Sequence, residues 1–448
     1  MFHLGWFLGK GFGVPPFMGL GNVPWGPRRT VFDGRAHHEW MKPDLYVDLV
    51  RSLERGGFDF LFMEDSSMVE DSYGGSMELT LKYGLMAPKN DPVPLVPLLT
   101  AATKHLGVIP TISTIAYHPY LAARLMTTLD HLSEGRVGLN VVTSVTDRVA
   151  QNFGHDQHFD HDLRYEMADE WLDACGQLWE SWEPGAVVLD EESGTYADHT
   201  KVHPVDFTGK WFRTRGPLNT IPGPQRRPVV AQAGNSIPGR DLAAKYADTL
   251  LAHASSVESM KAFRDDIRER AVAHGREPDD VKILYLVTPT VGATDADAAE
   301  RNRVNRLRAE DPDQIRTRLW SMSYVSGGRV DFSTFDLDGP VPEVVGNGEQ
   351  SSMAAFVENN RGKTLRQAVV EGTHFGGTLG LSGSPDTVAA RMGEIMEEVG
   401  GDGFLLYPQP NRRSIAEISD GLCTALRRRG LIRDGYPHAT LRENLLDF

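Results

Sequence analysis

Cysteine is scarce in this sequence, with only Cys175 and Cys423 among 448 residues. Two cysteines so far apart form neither a disulfide framework nor a zinc site of the usual ligand spacing. Cys175 lies in a helical run beside Leu172 and Leu178, so we interpret it as a small core residue. Chemistry or stability that depends on several cysteines is therefore excluded.

Positive charge and long apolar runs are lacking as well. The formal net charge is -15, which argues against a nucleic-acid partner, because phosphate binding requires a basic surface. No stretch approaches the roughly 20 apolar residues that span a bilayer. The first residues, MFHLGWFLGKGFGVPP, have no basic region before their short apolar run, so they do not form a signal peptide. We expect a soluble cytoplasmic protein without a membrane partner.

Short β-rich runs alternate with amphipathic helical runs, the pattern of parallel βα units. Helix signals include the apolar spacing of Leu121, Leu125 and Leu129 after Pro119, and Gly56-Gly57 at the end of an earlier helix. We predict an α/β fold, a single (β/α)8 TIM barrel over residues 1–448, with an open doubly wound sheet as the weaker alternative. Long insertions are expected at about 10–43, 64–95, 145–226 and 305–380. The eight predicted strands are His3–Leu8, Phe58–Met63, Leu106–Ile112, Val137–Val142, Pro228–Gln232, Thr249–Ala252, Val281–Val287 and Phe404–Tyr407.

Polar residues recur where the predicted strands end, and barrel enzymes place their active sites at that rim. Any one of these residues alone is more simply explained as a helix cap or a turn residue. Their recurrence at one rim is the stronger indication of a site. The set comprises Asp65, Thr111, Ser113, Asn140, Thr143, Ser144, Gln232, Asn235, Ser236 and His253.

Residues 233–240 (AGNSIPGR) form the best candidate anion site. They connect a predicted strand to a helix N-terminus, where small residues let backbone N–H groups approach a phosphate. Arg240 adds a positive charge that would strengthen such binding.

Other sites fit less well. His155, His158 and His161 match no common zinc spacing, and a polar helix start is the simpler interpretation. The glycines 9, 11 and 13 follow a strand as in a dinucleotide turn, but Pro15-Pro16 prevent a helix from beginning there. No nucleophile elbow, Walker loop or Cys-His pair is present. A barrel with a phosphate site and no nucleophile or metal indicates a bound cofactor.

Several motifs together resemble one family. They are residues 58–71 (FDFLFMEDSSMVED), 127–144 (TTLDHLSEGRVGLNVVTS), 152–154 (NFG), 161–165 (HDLRY) and 232–248 (QAGNSIPGRDLAAKYAD). The combination, which covers most of the chain, resembles the bacterial-luciferase-like flavin monooxygenases of the nitrilotriacetate, dibenzothiophene-sulfone and pristinamycin synthase type.

The resemblance implies a barrel that receives reduced FMN (FMNH2) from a separate NAD(P)H-dependent flavin reductase and uses O2 to oxygenate a small organic substrate. Hydroxylation alone and hydroxylation followed by C–N or C–S cleavage are both compatible with it. It implies a homo-oligomer, a dimer or a tetramer. Asp65 and Thr111 are implied beside the flavin ring, Ser144 in a flavin-contacting position, and His161, Tyr165 and Ser236 at the phosphate or ribityl chain.

The sequence departs from the relatives on the substrate side. Several relatives carry a histidine in the loop after strand seven, whereas residues 321–336 here contain none. Tyr324 or His374 could replace it as a catalytic group. The segment Phe17–Trp40, with Trp25 and two histidines, does not align closely. The missing histidine supports one alternative, a non-catalytic flavin-binding subunit. The other alternative is an F420-dependent dehydrogenase on the same barrel.

Overall fold

A closed barrel of parallel strands organises the chain. The computed structural model describes residues 1–9, 42–253, 255–371, 379–408 and 411–448. The first barrel strand pairs with both the second and the eighth, which closes the sheet and confirms the predicted barrel. The eight strands are β1 His3–Leu8, β2 Phe60–Met63, β3 Gly107–Ser113, β4 Gly138–Val142, β5 Val229–Gln232, β6 Thr249–Ala252, β7 Lys282–Val287 and β8 Gly403–Leu406.

The barrel strands are apolar because both of their faces are covered. In β2, Phe60 and Phe62 point into the barrel, whereas Leu61 and Met63 pack against the surrounding helices. Successive side chains of a strand point to opposite faces. When both faces are buried, all of these side chains are apolar, and the strand sequence is a continuous apolar run. The observed bounds lie within two residues of the predicted ones at each strand end.

One helix segment after each strand forms the outer ring, and neighbouring segments of this ring pack in chain order. The predicted stop at Gly57 is confirmed by its φ of 81°, and Pro119 begins its helix as expected. The ring consists of α1 Pro43–Gly56, α3 Leu95–Ala101, α4 Pro119–Leu132, α6 His161–Trp179, α7 Ile237–Tyr246, α8 Val257–Ala273, α13 Pro385–Val399 and the last segment, α14 Arg412–Ala416 with α15 Cys423–Arg428.

The sequence also predicts a last helix through Ile415–Arg429, and the structure divides this helix in two. A π-helical turn, Glu417–Leu422, separates α14 from α15. Its backbone places Ile418 and Leu422 in the core against α1 and α13. Both cysteines are buried in the same core, as expected for Cys175.

Insertions follow the strands at the C-terminal end of the barrel. The 145–226 stretch, expected as an insertion, contains the ring helix α6, which packs between α4 and α7. The remaining helices are α2 Glu78–Tyr83, α5 Asp147–Asn152, α9 Asp295–Ala309, α10 Pro312–Val325, α11 Gln350–Asn359 and α12 Leu365–Glu371, with 3-10 turns at His199–Lys201 and Phe332–Thr334. Short strand pairs join Val187–Asp190 to Thr195–Ala197, Phe207–Thr208 to Arg213–Thr214, and Thr290–Val291 to Ser382–Gly383.

The opposite end of the barrel is plugged by the C-terminal segment. Helix α16, Leu441–Leu445, inserts Leu441 and Leu445 against the inward-facing residues of the strands. Among the described residues, no helix is long and apolar enough to cross a membrane. With one end plugged, a ligand can enter the barrel only from the end that carries the insertions.

Candidate active site

A cavity of about 640 Å³ opens at the C-terminal ends of the strands. This volume lies within the range of roughly 300–1,000 Å³ that is usual for small-molecule and cofactor sites. Every barrel strand, or the residue directly after it, supplies at least one side chain to the wall, among them Phe7, Phe62, Thr111, Asn140, Gln232, Leu251, Leu286 and Tyr407. The barrel thus provides a largely apolar base with a few polar groups on the β3–β5 side.

A hydrogen-bonded pair, Thr111 and Asn140, forms the polar part of that base. The Thr111 hydroxyl donates to the carbonyl of Met63 at 2.7 Å and accepts from Asn140 Nδ2 at 2.8 Å. Asn140 Oδ1 is buried without a hydrogen-bond partner among the described residues. Buried polar atoms normally have a partner, so this acceptor indicates a ligand that carries an N–H or O–H group.

Ser144 lies where the chain turns after β4, and its φ of 60° places it in the left-handed region. Its hydroxyl is 2.6 Å from the Ser113 hydroxyl, which fixes the side chain against β3. Such a backbone conformation is uncommon for serine and is often found at functional sites.

Two helix N-termini converge on one wall of the cavity. His161 is the first residue of α6, and Ser236 is the N-cap of α7, where its hydroxyl accepts from the N–H of Gly239. Tyr165 lies one turn into α6, with its ring centroid 5.0 Å from that of His161, and its hydroxyl lies beside the side chains of Ser236 and Gln232. Burial raises the pKa of Tyr165, so it remains a neutral donor. Helix N-termini favour anions, which makes this wall suited to a phosphate.

Glycines bring the backbone close together at the same wall. A Cβ on Gly234 would lie 2.8 Å from the Cα of Gly239, and a Cβ on Gly239 would lie 2.9 Å from the Tyr165 hydroxyl. Any larger side chain at either position would therefore push the strand-to-helix turn or Tyr165 out of place.

Arg240 does not take the role expected from its position in this turn. Its Nη1 is 3.1 Å from Asp266, and its Nε donates to the carbonyl of Asn235. The guanidinium stacks on the Phe263 ring outside the cavity wall. Arg240 lies three residues after Ile237, the first residue of α7. At this position of the helix its side chain points toward α8.

Arg164 is the cation found at this wall instead. Its side chain is buried, and its two terminal nitrogens donate to the carbonyls of Ser144, Asn347 and Gly348. Burial lowers the pKa of Arg164 to about 10, and no carboxylate lies within ion-pair distance in the described part of the chain. Arg164 therefore joins the turn after β4 to the insertion after β7. It brings positive charge to the wall where α6 and α7 begin.

Asp65 and Tyr324 form another part of the wall. Burial raises the pKa of Asp65 to about 6, with Lys89 opposing and Glu64 adding to the effect. Lys89 is engaged by Glu64 at 2.8 Å. Tyr324 stacks parallel to Trp320 beside Ser66, and burial raises its pKa. Near neutral pH this wall therefore presents the neutral hydroxyl of Tyr324 and the carboxyl group of Asp65, whose pKa is about 6.

The structure brings the predicted residues together in one cavity: Asp65, Thr111, Ser144, His161, Tyr165, Ser236 and Tyr324. His374 and the segment Phe17–Trp40 lie outside the described residues. Arg164 and Tyr407 were not predicted, although each adjoins a predicted element. The spacing of His161 and Arg164 on one helix and the position of Tyr407 at the end of the eighth strand are signals that point to them.

The three histidines considered for a metal site do not converge. His158 bonds the Thr143 carbonyl, His161 contacts Asp162, and His155 packs on Phe159. In the parts of the chain that the structure covers, no three metal-ligating side chains cluster.

The family model described as luciferase-like monooxygenase matches residues 29–403, and the chain belongs to this family. Its relatives are monooxygenases, and the chain is accordingly a flavin-dependent monooxygenase, which confirms the predicted family and enzyme class.

Three similar proteins illustrate the relationship. The chain is 36% identical over 422 residues to dibenzothiophene-sulfone monooxygenase of Rhodococcus erythropolis, covering 92% of this chain and 91% of the relative. It is 34% identical over 409 residues to nitrilotriacetate monooxygenase component A of Aminobacter aminovorans, covering 89% of each. A crystal structure of a riboflavin lyase with modified FMN and the substrate riboflavin superposes with a TM-score of 0.86 at 30% identity, covering 100% of this chain and 96% of the other.

Proposed function

We propose that this protein is the oxygenating component of a two-component monooxygenase that binds reduced FMN. The phosphate would be held where α6 and α7 begin, by His161, Tyr165 and Ser236. The observation that carries this proposal is the convergence of these two N-termini and the buried Arg164 on one wall of the barrel cavity. A dianionic phosphate is stabilised by such an arrangement of helix ends and a cation.

The flavin ring would lie over the base of the barrel, beside Asp65, Thr111 and Ser144. Asn140 Oδ1 has no hydrogen-bond partner among the described residues and would accept a hydrogen bond from the N–H of the ring. The apolar side chains Leu251 and Leu286 would exclude water from the ring. Reduced FMN supplies two electrons to O2, so that one oxygen atom enters the substrate and the other leaves as water.

The protein's own residues would bind and orient the reactants. Tyr324, neutral and held against Trp320, is proposed as a hydrogen-bond donor toward the reacting atoms. The insertions at the mouth would limit access of water. Relatives named for a sulfone and for nitrilotriacetate make carbon–sulfur and carbon–nitrogen substrates the first to test.

The experiment measures flavin binding and coupled turnover. The purified chain is titrated with FMN, FAD and F420 under reducing conditions, and O2 uptake with candidate substrates is followed with and without an NADH-dependent flavin reductase. We expect selective binding of reduced FMN and product only when the reductase is present. Turnover with F420 and none with FMN would instead establish the dehydrogenase alternative, and FMN binding without any product would support the non-catalytic alternative.

A further inference from the structure

Arg318, on α10, lines the cavity on the side of the insertion that follows β7. Its Nη1 donates to the carbonyls of Val369 and Val370 at the end of α12. This contact explains part of the side chain's position, because a cation is favourable at a helix C-terminus. It leaves Nε and Nη2 without a hydrogen-bond partner in the part of the chain that the structure describes.

The charge of Arg318 is also uncompensated within the described residues. Burial lowers the pKa of its guanidinium, and no carboxylate lies within ion-pair distance of it there. Of the described residues, three carboxylates line the cavity, Glu64, Asp65 and Glu349, and none of them forms an ion pair with Arg318. Glu64 is paired with Lys89, and Glu349 accepts a hydrogen bond from Ser352. A half-buried cation without a counter-charge is costly, and an anion in the cavity would relieve that cost.

Neighbouring polar residues lie on the same side. Ser351 lines this wall, and Gln314 lines it one turn before Arg318 on α10. The opposite side of the cavity, formed by the barrel, presents Leu251, Leu286 and other apolar side chains. The cavity thus carries the cation Arg318 on its α10 side and apolar side chains on the facing part of the barrel.

We propose that Arg318 binds a carboxylate of the substrate, so that this enzyme acts on small organic acids whose reactive part extends toward the barrel. The planar guanidinium matches a carboxylate with two parallel hydrogen bonds, which a lysine cannot reproduce. This proposal rests on the proposed function, because it assigns the α6–α7 wall to the flavin phosphate and leaves α10 to the substrate.

The test uses straight-chain (methylthio)alkanoic acids of increasing length and their primary amides, which differ only in charge. Calorimetry on the full chain, with and without bound FMN, gives the two dissociation constants for each pair. We expect the best acid to bind at least about tenfold more tightly than its amide, as a charge-assisted pair provides. Arg318→Gln should abolish that preference, and Arg318→Lys should retain part of it.

Arg316→Gln is the matched control, since Arg316 lies on the same helix with its side chain exposed and paired with Asp313. It should leave the acid preference unchanged, and both Arg318 variants should retain wild-type FMN affinity, which shows that the cavity is intact. Equal binding of acid and amide, a preference that survives in Arg318→Gln, or binding of no acid by the wild type would each overturn the proposal. Failure to bind FMN with the acid preference intact would count against the proposed function instead.

Discussion

Ser236 combines a structural contact with a place at the proposed phosphate site. Its hydroxyl caps α7 by accepting from the N–H of Gly239, and it also contacts the Tyr165 hydroxyl. Aspartate is an equally good N-cap, so Ser236→Asp keeps the helix while adding a negative charge.

We predict that Ser236→Asp weakens FMN binding by about tenfold or more through repulsion of the phosphate. Fluorescence titration with FMN measures the dissociation constant, and urea unfolding checks that stability is retained. Ser256→Asp at the N-cap of α8, outside the cavity wall, is the control and should bind FMN normally. Unchanged affinity in Ser236→Asp would show that the phosphate lies elsewhere.

Asp65 gives a pH-dependent prediction at the same scale. Burial raises its pKa to about 6, so folding favours the neutral acid. The penalty is absent below the ordinary pKa near 4 and grows between about 4 and 6, where the unfolded chain has lost its proton and the folded protein still keeps it. Above about 6 it stays constant. Asp65→Asn removes that penalty.

The free energy of unfolding of Asp65→Asn should therefore increase relative to that of the wild type as the pH rises from about 4 to about 7. Urea titrations across this range measure the difference, with Asp156→Asn at an exposed position as the control. A difference that does not change with pH would contradict the raised pKa.

At the scale of elements, α6 depends on a loop far away in the sequence. Its own N-cap, Asp160, makes no side-chain capping bond. Asn347, from the insertion after β7, instead accepts from the N–H of His161 and donates to the carbonyl of Phe159, both at 2.9 Å. Arg164 bonds the carbonyl of the same asparagine.

Asn347→Ala should destabilise the protein by about 1–2 kcal/mol, the usual cost of a lost cap, and weaken FMN binding because His161 is no longer fixed. Chemical unfolding and FMN titration measure the two effects. Asn359→Ala, at an exposed position of the same insertion, should change neither. If Asn347→Ala lowered stability but left FMN affinity intact, the link between this loop and the flavin site would be wrong.

At the scale of the whole molecule, one end of the barrel carries the cavity and the other end contributes to stability. The end opposite the cavity is closed by a buried cluster in which Asp59 contacts His3 at 3.1 Å and Arg433 at 2.6 Å. Burial alone would raise the pKa of Asp59, but His3, Arg433 and the N–H of Leu4 outweigh it and lower the pKa. The cluster ties β1 and the turn before β2 to the C-terminal segment.

Asp59→Asn should destabilise the fold by about 3–5 kcal/mol, because it leaves Arg433 buried without a counter-charge. The lowered pKa means that this stabilisation is present at neutral pH and is lost in acid, as the pH falls through the folded-state pKa. Asp420→Asn, which breaks the exposed pair with Arg55, should cost only a small fraction of this. Thermal or urea unfolding at neutral and acidic pH measures both variants, and equal losses in the two would refute the cluster's role.

Local signals in the sequence were sufficient to predict the barrel and many residues of the candidate site. A strand buried on both faces and a helix bounded by proline and glycine are encoded within a few residues, as at Phe60–Met63 and at α1. The polar residues at the strand ends could be predicted to lie together because the C-terminal ends of parallel strands meet at one rim of a barrel. Asp65, Thr111 and Ser236 could therefore be proposed together from sequence.

Contacts between distant segments could not be predicted in this way. The orientation of Arg240 toward Asp266, the capping of α6 by Asn347 and the exposure of Arg318 to the cavity each depend on how separate elements pack. The sequence by itself determined which elements form and which polar groups meet at the rim, because periodicity and turn chemistry are local. Only the tertiary structure decided which cations face the cavity and which are paired outside it, because that depends on long-range packing and burial.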